Sequence, residues 1–355
     1  MNWLLVFVPA AATLEFVAPD RYLLVFVASS LAIVPLAGWM GRATEELAER
    51  LGEGIGGLLN ATFGNAAELI IALVALHAGL HDVVKASIAG SIIGNILLVL
   101  GAAMLAGGLR YPEQNFNPAG ARSQATMLTL AAIALVLPAA FQVANGASAQ
   151  GLMKLSVSIS VVLLIVYVLF LAFALVTHAD LFRGSRSSDA ADEAKSKASP
   201  VRAAAILAAA TAAIAWMSEI LVGAIEPAAH ELGLSNIFVG VFLVAILGNA
   251  AEHATAVTAA MKNRMDLSLS IAIGSSVQVA LFVAPVLVLA GLVIGPTPMN
   301  LAFPAGLVLT VFLAILITRQ VAGDGRSDWL KGVQLLAVYL VLALTFFFLP
   351  GHAPQ

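Results

Sequence analysis

Apolar runs long enough to cross a bilayer as helices alternate with short polar breaks along the whole chain. They fall at about 3–18, 21–41, 55–78, 83–108, 123–141, 152–177, 201–228, 236–261, 267–294, 300–318 and 329–349. The pattern predicts an all-α polytopic membrane protein of about eleven transmembrane helices. The first run, in "MNWLLVFVPAAATLEFVAPD", lacks a basic leading segment and carries Glu15 where a signal peptide would be apolar, so it reads as a short membrane helix over 1–20. The one substantial hydrophilic stretch, "HADLFRGSRSSDAADEAKSKASP" at 178–200, separates the sixth and seventh runs and reads as a solvated cytoplasmic linker.

Composition agrees with this pattern. Of 355 residues, 61% are apolar and 10% charged, and the mean hydropathy is +0.99. A single soluble core of this size could not hide so much apolar surface, so lipid is the expected surrounding. The chain has no cysteine, which excludes disulfides and thiolate metal sites. A net charge of −3 gives no reason to expect nucleic acid, and nothing in the sequence marks an oligomeric state.

The basic residues predict an orientation. If the breaks after runs 2, 4, 6, 8 and 10 are cytoplasmic, they hold Arg42, Arg50, Arg110, Arg122, Arg183, Arg186, Lys195, Lys197, Arg202, Lys262, Arg264, Arg319, Arg326 and Lys331. Arg21, Lys85 and Lys154 remain for the other side. Fourteen against three places the N-terminus in the cytoplasm and the C-terminus outside, with a prokaryotic inner membrane as the expected location.

A pentapeptide, GNAAE, occurs at Gly64–Glu68 and again 184 positions later at Gly248–Glu252. At the same offset Gly90-Ser91 falls on Gly274-Ser275, so each glutamate precedes a Gly-Ser step by 22 residues. Upstream, Glu45, Leu51 and Gly52 match Glu226, Leu232 and Gly233 at an offset of 181. Two homologous halves, 21–177 and 201–349, account for this register. With five runs in each half, the second half enters the membrane with opposite orientation, and an inverted repeat brings the two motifs together near the midplane.

A carboxylate at membrane depth costs several kcal/mol unless it faces the protein interior or binds a cation. Two facing carboxylates suit a hard divalent cation, which takes roughly six to eight oxygen ligands when it is calcium. Asn65 and Asn249 lie three residues before Glu68 and Glu252, on the same helical face. Gly64 and Gly248 permit close backbone approach, and "NATFGN" suggests a kinked helix with free carbonyls. Ser91, Asn95, Ser275 and Gln278 offer neutral oxygens from the partner runs. The amides also serve as interhelical glue elsewhere, and Gly-Ser steps also permit close packing.

His253 points away from Glu252 and suits packing or relay, while His77 and His81 are expected at the surface. Glu219 and Glu226 share one face of the seventh run and are candidates for a proton or cation path, with a merely solvated Glu226 as the plainer reading. The stretch "ATEELAER" reads as amphipathic surface.

The paired "GNAAELIIALVAL" and "GNAAEHATAV", with "SIAGSIIGNILLVLG" and "MDLSLSIAIGSSVQVALFVAP", closely resemble the calcium/proton exchangers (CAX family) of the calcium/cation antiporter superfamily. The resemblance covers nearly the whole chain. It implies a helical antiporter that moves Ca²⁺ out of the cytoplasm against entering H⁺. Glu68 and Glu252 would bind metal and protons in turn, with no cofactor beyond the transported ions. Family members carry an acidic segment between the halves. Here Asp180, Asp189, Asp192 and Glu193 are interleaved with Arg183, Arg186, Lys195 and Lys197. A sodium-coupled exchanger is the nearest alternative, and a cation channel, which would present rings of acids in an oligomer, is more remote. Neither a zinc-protease HExxH nor a GxSxG elbow is present, so an enzyme is not expected.

Overall fold

The computed structural model describes residues 2–144, 148–179 and 199–348, with the backbone alone at 52–55, 57–58 and 60–61. Twelve helical segments make up the fold: α1 (Asn2–Val17), α2 (Tyr22–Phe63), α3 (Ala66–His77), α4 (His81–Gly108), α5 (Pro118–Val143), α6 (Ala149–Thr177), α7 (Pro200–Glu231), α8 (Asn236–Gly248), α9 (Ala250–Met261), α10 (Met265–Ala290), α11 (Ala305–Val321) and α12 (Trp329–Phe347). Nine of the eleven apolar runs fall on a single segment, the run at 236–261 falls on the bent pair α8–α9, and the run at 55–78 falls on the end of α2 and on α3 with the break at Gly64-Asn65 inside it. Among the described residues, seven helices are long and apolar enough to cross a membrane, and α8–α9 makes an eighth if the pair is one span. The predicted linker, including Asp180, Arg183, Arg186, Asp189, Asp192, Glu193, Lys195 and Lys197, lies outside the described residues.

Two sequence expectations need correction. The polar break between the second and third runs is absent, because α2 continues for 42 residues through "ATEELAER". That stretch holds good helix formers with Glu46 four residues before Arg50, so polarity there does not break the helix. The second correction is Lys85, counted among the charges of the outer side: it sits in α4 and is only 9% exposed.

The real breaks come at the motifs. After Phe63 the helix stops at Gly64-Asn65 and restarts as α3, and after Gly248 it stops at Asn249 and restarts as α9, with a 64° bend between α8 and α9. Asn65 (φ −101°, ψ 20°) and Asn249 (φ −106°, ψ 4°) share one backbone conformation. Each uses its carbonyl for the first turn of the new helix, Asn65 O accepting from Leu69 N and Asn249 O from His253 N, both at 3.0 Å. Glu68 and Glu252 therefore both stand in a first helical turn, where the positive end of the helix dipole favours a carboxylate.

Around the breaks, α4 and α10 form the centre, 83% and 72% buried, while α6 is 17% buried and lies at the periphery. The α-helical turns of α4 and α10 widen to π-helical turns at Gly94–Val99 and Val279–Val283, just beyond the two Gly-Ser steps. Helices α2 and α7 pack along one another. A two-residue antiparallel ladder, Gln114–Asn115 with Arg326–Ser327, ties the α4–α5 loop to the α11–α12 loop.

The two Gly-Ser steps are not equivalent in packing. A methyl group on Gly90 would collide with the backbone of Val241 in α8, and one on Gly240 would lie 2.7 Å from Ala86 Cβ, so α4 and α8 cross at backbone contact. A Cβ on Gly274 would meet only Gln124 Nε2, at an ordinary 3.6 Å. Gly90→Ala should therefore destabilise the protein by about 1–3 kcal/mol, whereas Gly274→Ala should be close to neutral. Thermal melts of the two purified variants in detergent check this, and equal melting points would contradict it.

Candidate functional site

The site is built where the two helix breaks face α4 and α10. Glu68 is 8% exposed, and its Oε1 accepts hydrogen bonds from Ser91 Oγ in α4 and from Asn249 Nδ2 in the other half. Asn249 Nδ2 also lies 3.3 Å from Ser91 Oγ and 3.1 Å from Ala245 O. On the other side Asn65 Oδ1 accepts from Ser275 Oγ at 2.8 Å, and Asn65 Nδ2 donates to Gln278 Oε1. Neither asparagine caps its own helix, because both amides are committed across the interface between the halves.

Glu252 is paired with Ser275 and lies near Glu68. Gly248 makes room for Glu68, since a Cβ there would sit 3.1 Å from Glu68 Cγ. Gly64 precedes Asn65 in the first break. Asn95, on the π-helical turn of α4, donates from Nδ2 to Ser275 Oγ at 3.1 Å and places Oδ1 3.1 Å from His253 Nε2. The eight predicted ligand residues Glu68, Glu252, Asn65, Asn249, Ser91, Ser275, Asn95 and Gln278 thus form one network. His253 joins it from outside, hydrogen-bonded to Asn95.

Two atoms stand out in this network. Glu68 Oε2 and Glu252 Oε2 are buried without a hydrogen-bond partner, one from each half. An unpartnered buried carboxylate oxygen is costly, so these are the atoms best placed to take a proton or a cation. Among the described residues no cluster of three or more acidic or histidine side chains forms a metal-binding group. Any cation held here draws its remaining ligands from amides, hydroxyls and the carbonyls of the broken helices.

Glu219 and Glu226 do not reach this network. Both are exposed and line a crevice of about 860 Å³ between α3 and α7, with Leu73, Val74, His77 and Pro227. Asn236 Nδ2 donates to Glu226 Oε1 at 3.2 Å. His77 is exposed as expected, but His81 is half-buried with Nε2 unpartnered. Sequence reasoning missed the burial of Lys85, although its apolar neighbours Val83, Val84, Ala86 and Ile88 carried the signal.

With this geometry in hand, four similarities are informative. The "Ca(2+)/H(+) antiporter" of Aphanothece halophytica is 48% identical over 98% of this chain and 96% of its own length. The protein of the same name from Synechocystis sp. is 48% identical over 92% of this chain and 91% of its own. The solved structure of native YfkE matches with a TM-score of 0.82 at 39% identity, covering 98% of this chain and all of that one. The model of the sodium/calcium exchanger protein family matches residues 21–176 and 202–348, the two halves found from the duplicated motif. Two matched halves on either side of the linker, and relatives similar from end to end, establish that this chain belongs to the sodium/calcium exchanger protein family.

Proposed function

We propose that the chain is a secondary antiporter that exports cytosolic Ca²⁺ in exchange for H⁺, by alternating access at a site shared by Glu68 and Glu252. The observation that carries this reading is the pair of buried, unpartnered carboxylate oxygens, one from each half. The names of the 48%-identical relatives supply the two ions. A divalent cation and a pair of protons each neutralise the same two carboxylates, so either load removes the charge that makes reorientation of the empty site costly. Asn65, Asn249, Ser91, Ser275, Asn95 and Gln278 supply neutral oxygens for the metal. The backbone carbonyls at the breaks, brought close by Gly64 and Gly248, complete the shell.

A sodium-coupled exchange is the second reading. It is disfavoured by the absence of a third acid from the network among the described residues, since extra sodium sites would need further oxygen-rich ligands. Glu219 and Glu226, on the crevice wall, belong in this reading to the approach of protons or cations rather than to the central site. We further infer inverted five-helix repeats over 21–177 and 201–349, an extra helix at 1–20 and a cytoplasmic linker at 178–200. The N-terminus lies in the cytoplasm, the C-terminus outside, and the protein works as a transporter in the inner membrane without a cofactor.

Three outcomes test this reading. Glu68→Gln and Glu252→Gln each keep the side-chain size but lose the charge and the titratable proton, so each should abolish gradient-driven calcium uptake into inverted vesicles while leaving a folded, membrane-inserted protein. Substantial uptake by either variant would remove the paired site.

Coupling should also be visible without transport. If calcium displaces protons from the carboxylates, binding releases protons, and by linkage the calcium affinity weakens as pH falls from about 8 to about 6. Titration calorimetry in buffers of different ionisation enthalpy counts the protons. A count of zero with pH-independent affinity would leave sodium coupling in front.

For topology, a reporter inserted in 178–200 should report the cytoplasm, and one fused after Gln355 should report the outside. Both reporters on one side would imply an even number of crossings and end the inverted-repeat account.

A further inference from the structure

Among the described residues, Lys85 is the one buried charged side chain that the exchange site does not use. Its ammonium is held by two neutral oxygens, Asn300 Oδ1 at 2.9 Å and Ala302 O at 2.7 Å, with the Phe303 ring centroid 6.0 Å away. Both oxygens belong to the base of the strap at 291–304 that joins α10 to α11. The base is buried, with Met299 and Leu301 fully covered and Phe303 3% exposed, while the tip at 295–298 is open. Ser156 Oγ in α6 accepts from Leu301 N at 3.0 Å, and Asn300 Oδ1 also accepts from Ala302 N at 3.0 Å.

The open tip lies on the far end of α3. A Cβ on Gly295, at φ +91°, would collide with Leu76 O, and one on Gly79, at φ +79°, would stand 2.9 Å from Pro296 Cγ. A continuous path therefore runs from Lys85 through the strap to the last turn of α3, whose first turn carries Glu68. The other half repeats the device without the charge. Gln114, 1% exposed in the α4–α5 loop, donates from Nε2 to Ala260 O at 2.8 Å and to Asn263 Oδ1 at 3.0 Å, at the end of α9. Each motif helix is thus gripped at its far end by a loop from the opposite half.

We propose that Lys85 is a positioning residue for the transport site: by holding the base of the 291–304 strap it fixes the end of α3, and with it the place of Glu68. The proposal rests on the reading of Glu68 as a transport ligand. The charge makes the grip stronger than that of Gln114, because an ammonium inside the fold that loses both oxygens has no water to replace them.

The absence of cysteine allows a direct test. In the full chain with Ala302→Cys as sole thiol, 4% exposed in the parent residue, maleimide labelling in detergent reports release of the strap base. Lys85→Met should raise the labelling rate by about a hundredfold, as expected for loss of two charge-assisted hydrogen bonds. Half-saturating calcium should rise several-fold with maximal uptake little changed. Asn300→Leu, which removes one of the ammonium's two acceptors and the acceptor of Ala302 N, should also label faster than the parent, and its effect combined with Lys85→Met should fall short of the sum of the two single effects. Asn300→Asp gives the ammonium an anion, keeps the acceptor for Ala302 N and should slow labelling, so the test survives if the methionine variant does not fold.

Unchanged labelling in Lys85→Met, additive effects in the double variant, or faster labelling in Asn300→Asp would each overturn the grip. Faster labelling with unchanged half-saturation would overturn its link to Glu68. If instead Glu68→Gln still transports, the reading of the site fails while the labelling results stand.

Discussion

The fold is organised around the cost of interrupting a helix and ionising a side chain at the same depth of a membrane. An interrupted helix leaves backbone groups without partners, and lipid offers none, so the breaks at Gly64-Asn65 and at Asn249 must be enclosed by protein. The same enclosure shields Glu68 and Glu252. Helices α4 and α10 provide it, which is why they are the most buried of the long helices and why serine and asparagine face the breaks where an aliphatic side chain would pack as well. The close crossing of α4 with α8 through Gly90 and Gly240 brings Ser91 within reach of Glu68 and Asn249 together.

The two asparagines show how this constraint joins the halves. At a free helix start, an asparagine side chain would satisfy the exposed N–H groups of its own first turn. Here Asn249 turns to Glu68 and Ser91, and Asn65 to Ser275 and Gln278, so each half completes the polar network of the other. The first turns of α3 and α9 are left with a glutamate and the helix dipole in place of a cap. Neither half contains the network alone, because it exists only where the two halves meet.

Much of this was legible in the sequence because it depends on local chemistry repeated at a fixed offset. The GNAAE pair and the Gly-Ser steps identified the residues that meet, and the family-model matches fall on the same two halves. The eleven apolar runs fell on helices because hydropathy reads burial or lipid contact directly. Hydropathy does not read helix continuity, so "ATEELAER" passed for a break when its residues propagate α2, and the true break at Gly64-Asn65 lay inside an apolar run. Lys85 lay inside the fourth apolar run but was counted with the charges of the outer side, because its partners, Asn300 and Ala302, lie more than two hundred positions away and hydropathy does not read them. The spacing that put Glu219 and Glu226 on one face was correct, but which helix that face meets is a tertiary fact.

The departures from symmetry are as informative as the repeat. Perfectly matched inverted halves would give two interchangeable arrangements of equal energy, one open to each side, since exchanging the roles of the halves exchanges the states. In this chain Leu69 in the first motif corresponds to His253 in the second, Gly94 to Gln278, and Asn95 to Val279. All three polar members join the network: His253 binds Asn95, Asn95 binds Ser275, and Gln278 binds Asn65. The extra hydrogen bonds gather around Asn65 and Ser275, while the side of Glu68 and Asn249 keeps the minimal set. The straps differ in the same sense, with a charged grip on α3 and a neutral one on α9. These differences surround the pair of carboxylates without altering it, so the two halves depart from one another in the hydrogen bonds around Glu68 and Glu252 and keep the carboxylates themselves in common.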